Sequence, residues 1–285
     1  MHQVRLWGIT RVEGPGRAFR SNFGGIKPRQ VLEALAVDHN RPVSKDVLAE
    51  ALWEERPPAS YAATLESYVA VLRRSLEGVG VPRRVVRTVN NGYVLTDEVS
   101  VDLTDVRETI TQALNASSRA AFQIVTDALV PLRIGDLVAS SPYARYAIGA
   151  REELKTGLAQ SLRWAADGAL EAGAADRALV LARQAQALEP VSDAAEQVVM
   201  RALVTLDARS DALQEYADFR QRLRNELGVE PSRTTQSWYL RALAGGRTDS
   251  ERRDREELPL LLRLLAQVAP ESPLLVGSGV PAEVA

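Results

Sequence analysis

The chain has 285 residues, 46% of them hydrophobic and 25% charged, an ordinary globular composition with length for two domains. The absence of cysteine excludes disulfides, thiolate metal sites and cysteine nucleophiles, and two histidines, His2 and His39, leave little for zinc or a serine-histidine triad. The net charge of −2 hides an asymmetry: residues 1–97 carry 14 basic side chains against 10 acidic ones, and the remainder 21 against 27. Only the first third has the balance of an anion-binding module.

No basic-then-apolar leader opens the chain, and no apolar run reaches the ~20 residues that span a bilayer, so a cytoplasmic location without membrane contact is expected. Val4 to Ile9 alternates as a short strand entering the turn Glu13-Gly14-Pro15-Gly16, and Phe23-Gly24-Gly25 makes a second turn. A first helix opens near Lys27, with Pro28 where its missing N–H costs nothing, and runs to about His39. Ser44 N-caps a second helix, with Asp46 in its first turn and Val47, Leu48, Leu52 and Trp53 on its buried side. Pro57-Pro58 forces a loop before a third helix over residues 59–76.

That third helix carries Leu65, Val69, Leu72 and Leu76 as one apolar stripe, and Ser60, Ala63, Thr64, Ser67, Val71 and Arg74 fall on the opposite face. After it, Arg83 to Thr88 and Tyr93 to Thr96 read as two strands joined by Asn90-Asn91-Gly92, residues that tolerate the positive φ of a tight hairpin. Strands, three helices and a hairpin follow one another in the order of a winged helix.

Beyond Val99 the periodicity is helical throughout: Leu103 to Ala116, Ser118 to Leu132, Arg151 to Glu171, Ala174 to Glu189, Ser192 to Leu206, Asp211 to Leu227 and Ser232 to Ala244. Ala178-Leu179 recurs as Ala212-Leu213, and Leu170 as Val204, at an offset of 34 residues, the period of tetratricopeptide helix pairs. The fold class is therefore mainly α, a winged helix-turn-helix followed by an all-α tetratricopeptide-like domain. Residues 246–285 read as a charged linker, a short apolar helix from Leu258 to Ala269 and a tail. Leu274 to Gly279 imitates a strand entering a phosphate loop, but no Gly-Lys-Ser/Thr follows, and no cofactor is expected.

Two passages carry a family resemblance. Thr64 to Arg74 followed by Val86-Arg87-Thr88-Val89-Asn90-Asn91-Gly92-Tyr93 resembles the DNA-binding domain of OmpR/PhoB-type response regulators. Tyr216-Ala217-Asp218-Phe219-Arg220 through Asn225-Glu226-Leu227-Gly228-Val229-Glu230-Pro231-Ser232 resembles the end of a bacterial transcriptional activator domain. In that order the pair resembles the Streptomyces antibiotic regulatory proteins, and implies a DNA-binding domain over 1–97 and an activator domain over 98–245.

The resemblance implies a transcription activator, with residues 59–76 in the major groove and a wing over 85–95 at the minor groove. Phosphate contacts are implied from Trp53, Thr64, Tyr68, Arg73 and Tyr93, base contacts from Ser67 and Val71 with Arg74 near their edge, and minor-groove contacts from Asn90 and Asn91 beside Arg87. Hydroxyls and guanidinium groups bond phosphate oxygens or base edges, and valine can meet a thymine methyl. Ala63, Ala70 and Val71 stand where relatives often carry Arg or polar residues, which lowers the affinity of a single copy. Implied partners are double-stranded DNA with tandem or direct-repeat sites, a second copy of the chain and RNA polymerase, in the nucleoid, at a specialised-metabolite gene cluster. Two alternatives stay open: an interaction adaptor that no longer binds DNA, and the regulatory part of a larger NTPase-containing regulator. No enzymatic activity is expected, because Glu54-Glu55 and Glu152-Glu153 are helix neighbours that diverge.

Overall fold

The computed structural model describes residues 2–14, 19–54 and 56–244, and clusters into two compact units, Met1–Pro190 and Val191–Ala285. The linker, apolar helix and tail read over 246–285 lie outside the described residues. The architecture is a winged helix followed by an all-helical region.

In the first unit, β1 (His2–Arg5), β2 (Arg11–Glu13) and β3 (Phe19–Arg20) form an antiparallel meander. Then come α1 (Ile26–Val37), β4 (Val43–Ser44), α2 (Lys45–Trp53) and α3 (Tyr61–Glu77). The wing is β5 (Val86–Val89) and β6 (Gly92–Leu95), and β7 (Val99–Val101) returns to pair parallel with β1, setting Val4 opposite Val101. Two sheets result, with orders β3-β2-β1-β7 and β4-β6-β5.

The core follows the stripe read from the sequence. Leu65, Val69, Leu72 and Leu76 of α3 are at most 1% exposed, and α3 packs on α1 and α2. Burying such side chains contributes roughly 1.5–3 kcal/mol each. Ser44 caps α2 by accepting the Val47 amide at 3.2 Å. Val47 itself is 53% exposed rather than buried, because Leu48, Ala49 and Leu52 supply the inward face.

The helical region starts with α4 (Asp102–Asn115), α5 (Ser118–Ile124), α6 (Arg145–Glu171) and α7 (Ala175–Leu188). Where one helix to Leu132 is expected, α5 loosens into a π turn over Val125–Leu129. α6 begins at Arg145 rather than at the expected Arg151, because Ala147 and Ala150 are buried and α6 packs on α1. Hydrogen bonds run across residue 97. The Asp102 carboxylate accepts the Leu6 and Trp7 amides at 2.9 and 3.2 Å, and Val138 donates to the Leu6 carbonyl at 2.7 Å. Glu33 of α1, wholly buried, accepts from Thr10 at 2.7 Å and from Tyr146 of α6 at 2.8 Å, with Arg29 opposite it at 3.3 Å. Burial beside Glu33 drives the Tyr146 phenol well above its usual range.

The second unit holds α8 (Asp193–Thr205), α9 (Arg209–Glu226) and a helix α10 over 233–244. The 34-residue offset extends to individual hydrogen bonds. Ala172, Gly173 and Ala174 donate to Gly168, Leu170 and Ala169, and Leu206, Asp207 and Ala208 donate to Ala202, Val204 and Leu203. Gly173 and Asp207 both take positive φ, at 74° and 54°, as the turn after each first helix requires. Gly168 has a separate duty, since a Cβ there would collide with the Ser118 carbonyl of α5. The Glu230-Pro231-Ser232 string also has a local cause: Asp193 accepts the Ser232 amide at 3.0 Å and the Thr235 hydroxyl at 2.6 Å, which pins the start of α10 to α8. Arg220 and Arg224 bracket Glu230 and hold its carboxyl at about 2.

Candidate nucleic-acid interface

With Leu65, Val69, Leu72 and Leu76 docked inward, the outward stripe of α3 consists of Ala63, Glu66, Ser67, Ala70 and Arg74, all exposed. Beside it the wing turn lifts Asn90 and Asn91 into solvent, with Arg87 and Thr88 exposed on β5. Asn90 takes φ 38°, the conformation the tight turn demands. Gly92 then runs so close to Val43 that a Cβ would collide with its carbonyl, which fixes the wing on β4.

Ser67 and Thr64 are modest donors here, because each hydroxyl already donates to a carbonyl four residues earlier, Ala63 and Ser60, at 3.1 Å. Their lone pairs remain as acceptors, suited to base amino groups more than to phosphate. Arg74 is exposed near the end of α3, where a cation also favours the helix dipole.

Five of the residues singled out from the sequence are engaged within the protein itself. Tyr93 is 2% exposed, so it offers no surface to a phosphate; its ring is part of the core beneath the wing, and burial pushes its phenol up. Val71 is half-buried with Cγ1 against the Gly24 turn, where a Cβ on Gly24 would collide with it, so it packs the helix rather than meeting a thymine methyl. Arg73 braces the helix to the wing: Nε and Nη2 donate to the Val86 carbonyl at 2.8 and 2.6 Å, and Nη2 to the Thr88 hydroxyl at 2.9 Å. Trp53 and Tyr68, both half-buried, stack on each other with centroids 6.0 Å apart, which joins the end of α2 to the middle of α3.

Several residues the sequence reading passed over also shape this face. Lys45 pairs with Glu66 at 2.7 Å, and the Tyr61 hydroxyl donates to Asp46 at 2.5 Å, so the start of α2 is clamped to α3 in two places. Lys27 donates to the Leu52 carbonyl at the end of α2 and sits 5.9 Å from the Trp53 ring centre; desolvation lowers its ammonium pKa. The signal for these pairings was faint, since the partners are 15 to 25 residues apart and lie on different helices. Among the described residues no group of three or more acidic or histidine side chains could hold a metal, and no helix is long and apolar enough to cross a membrane.

Comparison with known proteins gives this geometry a context. Residues 25–95 match the family described as "Transcriptional regulatory protein, C terminal", and residues 101–243 match "Bacterial transcriptional activator domain". The chain is 29% identical over 228 residues to the regulatory protein AfsR of Streptomyces griseus, covering 77% of this chain and 23% of that one. It is 30% identical over 236 residues to the transcriptional regulatory protein EmbR of Mycobacterium bovis, covering 77% of this chain and 58% of EmbR. Similarity to the regulatory protein DnrI of Streptomyces peucetius is 28% over 225 residues, with 72% and 79% covered. The chain thus spans about a quarter of AfsR and most of DnrI. A solved structure of Mycobacterium tuberculosis EmbR, in complex with a low affinity phosphopeptide, superposes with TM-score 0.73 at 25% identity, over 86% of this chain and 65% of that one. The chain belongs to the bacterial transcriptional activator domain family, and it is a transcriptional regulator of the Streptomyces antibiotic regulatory protein type with an OmpR/PhoB-type DNA-binding domain.

Proposed function

We propose that this regulator binds duplex DNA sequence-specifically through α3 in the major groove and the β5–β6 wing at the minor groove, and activates transcription there. The observation that carries the reading is the exposed stripe of α3 standing beside the exposed wing tip Asn90-Asn91, in a segment matching the OmpR/PhoB-type family. Ser67 and Arg74 would read base edges, Asn90, Asn91 and Arg87 would follow the minor groove and its phosphates, and Thr64, Trp53 and Tyr68 would flank the backbone. Arg73, Val71 and Tyr93 hold that surface in shape. Residues 1–97 form the DNA-binding module and 98–245 the activator module, which contacts RNA polymerase and a second copy of the chain; 246–285 serve as linker and tail. The protein works in the cytoplasm at the nucleoid, on promoters of a specialised-metabolite gene cluster.

The reading face is sparsely basic, with Lys45 already neutralised by Glu66. Affinity therefore has to come from two copies on tandem or direct-repeat sites. The test is a gel shift with the full chain on duplexes carrying one or two copies of an upstream sequence, across a salt series. Binding that is stronger on the doubled site, and whose logarithm falls by about 0.9 per phosphate contacted, supports the reading. Salt-insensitive binding or none on doubled sites favours a protein-interaction adaptor, to which the Glu66 carboxylate in the middle of the stripe is better suited.

A further inference from the structure

A cleft of about 630 Å³ opens in the first unit between the start of α1, the end of α2 and the loop before α6. Of its lining residues only Trp53 also belongs to the flank of the proposed DNA-binding surface, and the wing takes no part in it. Its walls are of two kinds. Trp53 and Tyr143 supply aromatic faces, and two of the lining side chains stand open to solvent, Tyr143 at 87% and Ile26 at 63% exposed. Lys27, Arg29 and Arg56 supply cations against the carboxylate of Glu54. Arg29 is largely spent on Glu33 and on the Ser140 carbonyl, which it meets at 3.1 Å. Arg56 is exposed, and Lys27, which donates one N–H to the Leu52 carbonyl and keeps two more for a guest, lies over the Trp53 ring at 5.9 Å from its centre.

We propose that this cleft is a binding site for a small aromatic organic anion, a planar ring bearing a carboxylate or sulfonate. The volume falls within the ~300–1,000 Å³ range of small-molecule sites. The ring would lie between Trp53 and Tyr143, where offset stacking and apolar burial both contribute. The anionic group would sit between Lys27 and Arg56, in charge-assisted hydrogen bonds stronger than neutral ones. A neutral ring gains only the first of these, and an inorganic anion only the second, so the arrangement selects for both in one molecule. Trp53 also stacks on Tyr68 of α3, so a guest would touch a side chain in direct contact with the reading helix.

The test uses the full chain and 1-naphthoate as probe, with 1-naphthamide as the uncharged ring of the same shape, titrated by calorimetry and tryptophan fluorescence. The expected result is naphthoate binding about tenfold or more tightly than the amide, a preference reduced about tenfold by Arg56→Glu and by Lys27→Gln. Arg56→Glu is the safer variant, since Arg56 lies exposed in a loop, whereas Lys27 also holds the end of α2. Tyr143→Ala should weaken both probes alike, and Arg74→Gln, on α3, should leave the preference intact. Equal affinity for the two probes overturns the proposal. So does a preference that survives Arg56→Glu or disappears in Arg74→Gln, and so does no binding of naphthoate at about 10 mM.

Discussion

Arg73 separates two accounts of how the reading surface is built. Resemblance to the OmpR/PhoB-type domain makes it a phosphate ligand, whereas the geometry makes it a strut whose Nε and Nη2 hold the Val86 carbonyl and Thr88 hydroxyl of the wing. Arg73→Lys distinguishes them, because lysine keeps the point charge and loses the planar fork. Hydrogen bonds to a charged donor contribute roughly 1.5–3 kcal/mol in buried settings. For a half-buried group bridging two acceptors, about 2 kcal/mol in total is a reasonable sum. Local opening of β5–β6 should then become about 30-fold more frequent, at ~1.4 kcal/mol per tenfold. Amide hydrogen exchange of the full chain reads this directly: the Val89 and Val94 amides, which belong to the β5–β6 ladder, should exchange about 30-fold faster in Arg73→Lys, while amides of α6 are unchanged. The slope of DNA affinity against salt should stay within a few tenths of the parent value even as affinity drops. Unaltered wing exchange in Arg73→Lys, together with an Arg73→Ala salt slope smaller by about 0.9, would refute the strut and restore the phosphate contact.

Three further predictions concern other parts of the molecule. Ser67→Ala should relax base preference at one position, losing about 1–3 kcal/mol on adenine or cytosine there and little elsewhere, as a binding selection with randomised duplexes would reveal. Gly24→Ala should destabilise the winged helix by about 1–3 kcal/mol, since Gly24 has φ 85° and the new methyl meets Val71; in thermal melts Val71→Ala should recover part of the loss, and full additivity would argue against the contact. Glu230, with its carboxyl held at about 2 by Arg220 and Arg224, contributes stability that is present above the unfolded value near 4.5 and is lost as pH falls through about 2. Its NMR titration midpoint should lie near 2, and should move toward 4.5 in Arg220→Gln; a midpoint already at 4.5 in the parent chain contradicts the pairing.

The sequence by itself determined most of the local order. The 3.6-residue spacing of Leu65, Val69, Leu72 and Leu76 sets which side of α3 is buried, Ser44 and Pro57-Pro58 bound α2, and Asn90-Asn91-Gly92 makes the wing turn. Periodicity of 34 residues foretold a turn repeated hydrogen bond for hydrogen bond, because the same turn geometry after each first helix presents the same orphan carbonyls and the same donors to satisfy them.

Tertiary structure decided what each exposed-looking residue touches. A helical wheel places Val71 and Ser67 on one face, but it has no knowledge of the Gly24 turn that covers Val71 and leaves Ser67 in solvent. Tyr93 reads as a wing aromatic, and only the pairing of β6 with both β4 and β5 puts it in the core. The cleft beside Trp53 is assembled from segments more than eighty residues apart, and the join of the winged helix to α4–α6 rests on Asp102, Glu33 and Tyr146 reaching across comparable separations. Local propensity acts over a few residues, whereas these contacts depend on which surfaces remain after the core has closed, and no short window of sequence carries that information.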